Sequence, residues 1–171
     1  MRNIFSDTLY KHAIKNKKIY IIAADITPTG KMIEFQKINP DRFINVGVSE
    51  QSMIGICAGL SMSGMRPFAY SIAAFALYRP FEMVRDDICY QNLPVTVVGM
   101  GAGTVYSALG GTHLTQEDIS IARSIPNMRI IAPCDPNELK QAVDFCCTKN
   151  KSPIFTLRLS KANSFILISF R

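Results

Sequence analysis

FINVGVSEQ, residues 43–51, leads through Ser52 into the apolar stretch MIGICAGL, residues 53–60. A β-rich run (Phe43, Ile44, Val46) breaks at Gly47, and the chain then passes into a helix with small residues along one side. This is a strand–loop–helix unit, and it places one carboxylate, Glu50, in the first helical turn after a strand. Chains of this type use that position for chemistry more than for packing. Ser49 as a helix cap and Glu50 as a complement to the helix dipole would leave the same local pattern. The stretch therefore sets the class of fold and leaves the role of Glu50 to the rest of the chain.

Outward from this unit the alternation repeats. Residues 3–14 carry Ile4, Phe5, Leu9, Ala13 and Ile14 at helical spacing. Residues 18–24, KIYIIAA, form a continuous apolar run ending at Asp25, the pattern of a strand buried on both faces. PFAYSI (67–72), PVTVV (94–98), 128–132 and 153–159 predict four more strands. Helices are expected over 49–63, closed by Gly64, and over 77–90, with Arg85, Asp86 and Asp87 outward. Two more follow, one opened by a Thr115–Asp118 capping box and running to Ser124, the other capped by Asp135 with Pro136 at its first position, running to Cys147. The expected fold is α/β, doubly wound, with a mainly parallel six-stranded sheet and helices on both faces, occupying residues 1–160. Residues 161–171 read as a short apolar tail, either an added strand or a frayed end.

With 171 residues, 48% of them hydrophobic, the chain has the size and composition of one domain with a real core. Its net charge of +6 comes from mostly scattered basic residues, and the one cluster (Lys15, Lys17, Lys18) lies between a helix and a strand. No basic stripe interleaved with aromatics is present, so a nucleic-acid surface is not expected. Five cysteines without C-x-x-C spacing read as reduced, buried thiols, and two histidines leave little for a zinc site. No apolar run reaches 18 residues free of charges or breakers, and no leader precedes the first helix, so a cytoplasmic protein that does not enter membranes is expected.

In a doubly wound sheet, ligands sit beyond the carboxyl ends of the strands. Asp25 follows the first strand, Glu50 the second, Phe75 the third, and the glycine-rich segment 101–113 the fourth. A dinucleotide-binding module of Rossmann type is excluded, because Ala23-Ala24-Asp25 stands where G-x-G-x-x-G would be required.

Taken together, A-D-I-T-P-T (24–29), G-V-S-E-Q (47–51), the Phe75 segment and the G-T-H loop (111–113) resemble the pyrimidine-binding domain of transketolase-like, thiamine-diphosphate-dependent enzymes, over about residues 2–159. The nearest likeness is the second subunit of split transketolases. The resemblance implies the cofactor thiamine diphosphate, whose aminopyrimidine in its imino form removes the thiazolium proton. A carboxyl hydrogen-bonded to the pyrimidine ring nitrogen favours that form. Glu50 takes this role by resemblance. Phe75 matches the aromatic that stacks on the aminopyrimidine, with Ile72 and Tyr78 at neighbouring pocket positions, where core packing would account for them equally well. Asp25 matches an acidic residue near cofactor and substrate, although an Asx-turn before Pro28 fits it too. His113 matches a histidine that hydrogen-bonds the reacting oxygens of substrate, and Arg2 an arginine for sugar-phosphate recognition.

Departures from the family accompany the match. Leu109 stands where transketolases carry an acidic residue that reads a substrate hydroxyl, and Gly101 where they carry a second histidine. Both losses remove polar contacts to a phosphorylated sugar. The G-D-G…N motif that holds magnesium and diphosphate is absent from the sequence, so the resemblance implies a diphosphate-binding partner chain that binds Mg2+. Self-association into a symmetric assembly, with a small sugar as substrate, is also implied. The expected function is transfer of a two-carbon ketol unit between sugar-type substrates. The family's C-terminal domain is missing, which leaves a truncated, non-catalytic remnant as an alternative. A subunit of a deoxyxylulose-phosphate synthase or of a 2-oxo-acid dehydrogenase (beta type) is another.

Overall fold

Strand β1 (Ile19–Ala23) sends Ile19, Ile21 and Ala23 to one face and Ile22 to the other, and all four are buried. Side chains alternate across a strand, so a run apolar at every position can only lie between two layers. The protein is described from a computed structural model covering residues 1–149 and 151–159. β1 pairs with β2 (Phe43–Asn45) on one side and β3 (Arg66–Ile72) on the other; β4 (Thr96–Met100), β6 (Ile154–Leu159) and β5 (Arg129–Ile131) complete the order β2-β1-β3-β4-β6-β5. Every neighbouring pair is parallel, with Ile21 opposite both Phe43 and Phe68. The expected six-stranded parallel sheet is thus present among the described residues.

On one face lie α1 (Arg2–Ala13), α2 (Lys31–Ile38) and α7 (Pro136–Thr148), burying Phe5, Leu9, Phe35, Leu139 and Val143 with the odd-numbered residues of β1. On the other face lie α3 (Glu50–Met62), α4 (Ala73–Leu77), α5 (Phe81–Met83) with its π-helical continuation Val84–Tyr90, and α6 (Asp118–Arg123). Met53, Ile54, Cys57, Leu77, Val84 and Ile88 meet Ile22, Ala69 and Val97 there. Leaving β1 the chain crosses to β2 on one side, and leaving β3 it crosses to β4 on the other. The reversal opens a crevice between the carboxyl ends of β1 and β3, the place where such sheets bind ligands.

Asp135 caps α7 as expected, its Oδ1 accepting from the Asn137 and Glu138 backbone N–H groups at 2.7 and 2.9 Å, a contact of about 1 kcal/mol. Four details differ from the sequence reading. α2 carries no strong pattern of its own, since only Met32 and Phe35 are buried. Its N-terminus is instead capped from α1, with Asp7 Oδ1 accepting from Lys31 N at 3.1 Å and Ser6 Oγ from Met32 N at 2.8 Å. The helix expected over 77–90 is interrupted at Pro80. Proline has no N–H for the preceding turn, so α4 stops at Leu77 and a new helix starts at Phe81. The Thr115–Asp118 capping box does not form: Thr115 Oγ1 is buried without a partner, and Asp118 Oδ1 accepts from Ile119 N. The fourth strand begins at Thr96 and runs on to Met100, because Pro94 offers no ladder donor.

The tail at 161–171 lies outside the described residues. No helix among those described is long and apolar enough to cross a membrane. All five cysteines are unpaired and all but Cys134 are buried. Burial pushes the Cys89 and Cys146 thiols up to about 12, so both stay protonated and unreactive at neutral pH.

Candidate active site

Glu50 opens α3, and its side chain is only 3% exposed. Ser49 precedes it at the cap position but makes no cap bond; its Oγ pairs with Ser52 Oγ at 2.7 Å. The buried carboxylate is met by Arg79, whose Nη1 donates to Oε1 at 2.9 Å. The other oxygen, Oε2, accepts no hydrogen bond among the described residues. A buried carboxylate needs a compensating charge, and Arg79 supplies it from the site's mouth, where its own side chain is 42% exposed. Its guanidinium carbon also lies 3.8 Å from the Phe75 ring centroid, a cation–π contact.

Phe75, half-buried in α4, makes a T-shaped contact with His113, 4.9 Å between ring centroids and 71° between planes. His113 in turn stands edge-on to Tyr106 at 6.3 Å, and its Nδ1 is 3.0 Å from Thr112 Oγ1. Contacts therefore run without a gap from Glu50 through Arg79, Phe75 and His113 to Tyr106. Three of the expected residues, Glu50, Phe75 and His113, come together in this chain.

The Tyr106 ring covers Gly101. A Cβ built on Gly101 would stand 2.0 Å from Tyr106 Cε2, and the residue sits at φ +67°. The position at which the sequence resemblance implies a second histidine is thus filled by an aromatic ring from the same loop. Leu109 is 58% exposed on that loop. Gly101→Ala is expected to destabilise the protein by about 1–3 kcal/mol through overpacking and backbone strain. That corresponds to a fall of several degrees in Tm, and Tyr106→Ala should remove the overpacking part of the penalty and leave the backbone strain at φ +67°. Thermal unfolding of the two single variants and the double variant checks this; equal Tm values for Gly101→Ala and wild type would mean the ring is elsewhere.

The remaining expected residues lie outside this chain of contacts. Asp25 is exposed at the end of β1 with φ 42°, its backbone N–H donating to Asn45 Oδ1 at 3.2 Å. Asn45 Oδ1 also accepts from Gly47 N at 3.0 Å, so this one side chain ties the loop after β1 to the loop after β2. Ile72 ends β3 and packs half-buried against the core. Tyr78 donates its hydroxyl to Glu117 Oε2 at 3.1 Å; burial and the Glu117 carboxylate push that hydroxyl above the ordinary tyrosine range, so it stays a donor. Arg2 donates Nε to the Tyr70 hydroxyl at 3.2 Å and Nη2 to the Thr27 carbonyl, bracing the loop after β1.

Sequence reasoning missed Arg79, Tyr106 and Asn45. Arg79 falls between two helical segments, where no periodicity assigns it a face, and its one local signal was the following Pro80. Among the described residues, one group could hold a metal ion, Cys134, Asp135 and Glu138 at the start of α7. Asp135 already caps α7, and Glu138 Oε2 accepts from Cys134 N at 2.8 Å. This group includes none of the residues around Glu50.

The family described as the transketolase pyrimidine binding domain matches residues 1–165 of the chain. An apulose-4-phosphate transketolase subunit of Actinobacillus succinogenes is 39% identical over 134 residues, 78% of this chain and 43% of that one. A 1-deoxy-D-xylulose-5-phosphate synthase of Prochlorococcus marinus is 42% identical over 144 residues, 84% of this chain and 22% of the synthase. A solved split-gene transketolase, described as an inactive β4 tetramer, superposes with a TM-score of 0.81 at 33% identity, over 98% of this chain and 53% of its own. The chain spans about half or less of the length of these proteins.

Proposed function

The chain belongs to the transketolase pyrimidine-binding-domain family, and from that premise we propose that it is the pyrimidine-binding subunit of a thiamine-diphosphate-dependent transferase. The enzyme moves a two-carbon ketol unit between sugar-type substrates. One observation carries this reading: a carboxylate 3% exposed, at the head of α3, with one oxygen held by Arg79 and the other accepting no hydrogen bond among the described residues. Such an oxygen, beside the Phe75 ring, fits an aminopyrimidine, which offers a flat face to stack and a ring nitrogen to bond.

When bound, the cofactor supplies an acidic thiazolium carbon whose proton is taken up by its own aminopyrimidine. Glu50 would hydrogen-bond the pyrimidine ring nitrogen through Oε2, the contact that favours the basic form of the cofactor's amine. Phe75 fixes the plane of that ring. His113, in T-shaped contact with Phe75, would hydrogen-bond the reacting oxygens of substrate. Asp25, Ile72, Tyr78 and Arg2 are the outer residues of the site, with Tyr78 and Arg2 acting through the contacts described above. Tyr106 beside His113, with Leu109 and Gly101 in place of the polar residues that the resemblance implies, suits a sugar with fewer hydroxyls to be read.

Diphosphate and magnesium belong to a partner chain in this reading, since among the described residues the acids around Glu50 form no metal-binding group. The exposed side of α3 suits such a partner. Ile56 and Met62 are exposed there, and nothing lies within 4 Å of a Cβ built on Gly55 or Gly59, so another backbone can approach closely. The matches to transketolase subunits and to a split-gene transketolase favour the split transketolase over the synthase. The test is retention of thiamine diphosphate and magnesium through gel filtration, by this chain alone and after mixing with a diphosphate-binding chain from the same source. Retention and ketol transfer are expected only in the mixture. A mixture that neither associates nor retains cofactor would return the chain to the class of a non-catalytic remnant.

A further inference from the structure

We propose that Arg79 is a positioning residue for Glu50: its guanidinium pins Oε1 and lies on the Phe75 ring, so that Oε2 is the oxygen presented to the pyrimidine nitrogen. The proposal rests on the pyrimidine-site reading above and adds to it a residue that acts through Glu50 and Phe75.

A glutamate side chain has three rotatable bonds, and at the first residue of a helix few neighbours restrict it. Glu50 is nonetheless buried, and the polar contact that restrains its carboxylate is the 2.9 Å bond from Arg79 Nη1. A charge-assisted bond of that length holds Oε1 on Arg79 and leaves Oε2 as the oxygen free to face the pocket. The guanidinium is itself oriented, because its carbon rests 3.8 Å from the Phe75 centroid. Phe75, Arg79 and Glu50 therefore form one rigid unit in which the stacking ring and the acid are placed relative to each other through the arginine. Pro80 contributes by ending the helical run, so Arg79 lies in the break between α4 and α5 rather than within a continuous helix. Lysine could restore the charge, but it could not supply a plane lying on Phe75 and a directed N–H fork at once.

The asymmetry of exposure points the same way. Arg79 is 42% exposed and Glu50 3%, so the cation keeps part of its hydration while the acid is desolvated. Loss of the arginine leaves the fold with its core contacts and removes the orientation of the acid.

The probe is 4-amino-5-hydroxymethyl-2-methylpyrimidine, the pyrimidine half of the cofactor, titrated by calorimetry into the full chain and its variants. Arg79→Met, which keeps an apolar stem over Phe75, is expected to weaken binding roughly tenfold or more, the scale of one hydrogen bond to a charged group. Arg79→Lys should recover part of the loss, while the Tm values of both variants stay within a few degrees of wild type. In the enzyme assembled with its diphosphate-binding chain, Arg79→Met should slow deuterium exchange at the thiazolium carbon and leave KM for the sugar unchanged. Unchanged or tighter probe binding by Arg79→Met overturns the proposal; tighter binding would make Arg79 an obstacle to the ring. If Glu50→Gln abolishes probe binding and Arg79→Met does not, the proposal alone fails. If wild type binds no probe, the pyrimidine-site reading falls and this proposal with it.

Discussion

Glu50→Gln is expected to lower turnover of the assembled enzyme by roughly 10²–10⁴-fold, the range for loss of a positioned acid–base group. Glutamine matches glutamate in shape and can still accept from Arg79 Nη1 at the oxygen that now receives that bond. At the other position, however, an amide NH₂ replaces a carboxylate oxygen. It can neither hold nor release the proton shared with the pyrimidine nitrogen. Stability should change little, since the substitution removes a desolvated charge while Arg79, 42% exposed, keeps access to water. The measurement is turnover at saturating cofactor, paired with thermal unfolding of the same preparation. A variant that turns over near the wild-type rate would remove Glu50 from the chemistry. A variant that is slow only because it is unfolded would show a collapsed Tm.

Phe5→Ala is expected to produce the largest loss of stability among the single changes considered, about 3–5 kcal/mol. Phe5 is completely buried in α1 and stacks on Tyr70 of β3, with ring centroids 5.7 Å apart and planes 4° from parallel. Truncation to alanine opens a cavity where a helix meets a central strand, a place with little room to collapse. At about 2–4 °C per kcal/mol for a chain of this size, Tm should fall by roughly 10 °C. The same change bears on the site, because the Tyr70 hydroxyl receives Arg2 Nε at 3.2 Å and Arg2 braces the Thr27 loop. A shift of only a degree or two, measured calorimetrically, would show that α1 does not dock on β3 in this way.

Sequence and structure agree most closely where the signal is local and redundant. The apolar run of β1, the Asp135-Pro136 start of α7 and the strand–helix unit around Glu50 each carry their own cause. A strand apolar at every position needs two covering layers, and an aspartate followed by proline makes a helix start whatever lies nearby. Agreement is poorest where the cause lies in another part of the chain. α2 buries only Met32 and Phe35, and its N-terminus is satisfied by Ser6 and Asp7 of α1. The capping box expected at Thr115 and Asp118 fits the spacing rule, yet the chain there satisfies Ile119 N in another way.

For the site, strand-end position drew attention to Asp25, Glu50, Phe75 and segment 101–113, and the family resemblance named Glu50, Phe75 and His113 among them. How they touch was not legible. Arg79 has no pattern in the sequence, but it meets Glu50 across 29 residues and Phe75 across one helical turn. Gly101 read as a lost contact, whereas in the fold it is room taken by Tyr106. The sequence by itself determined the alternation of strands and helices, the two-sided burial of the sheet and the acid at the head of α3, since these follow from periodicity and backbone chemistry along the chain. Only the tertiary structure decided which cation faces that acid, which ring covers the glycine and which helix caps α2. Those choices depend on contacts between segments distant in sequence, and no local periodicity encodes them.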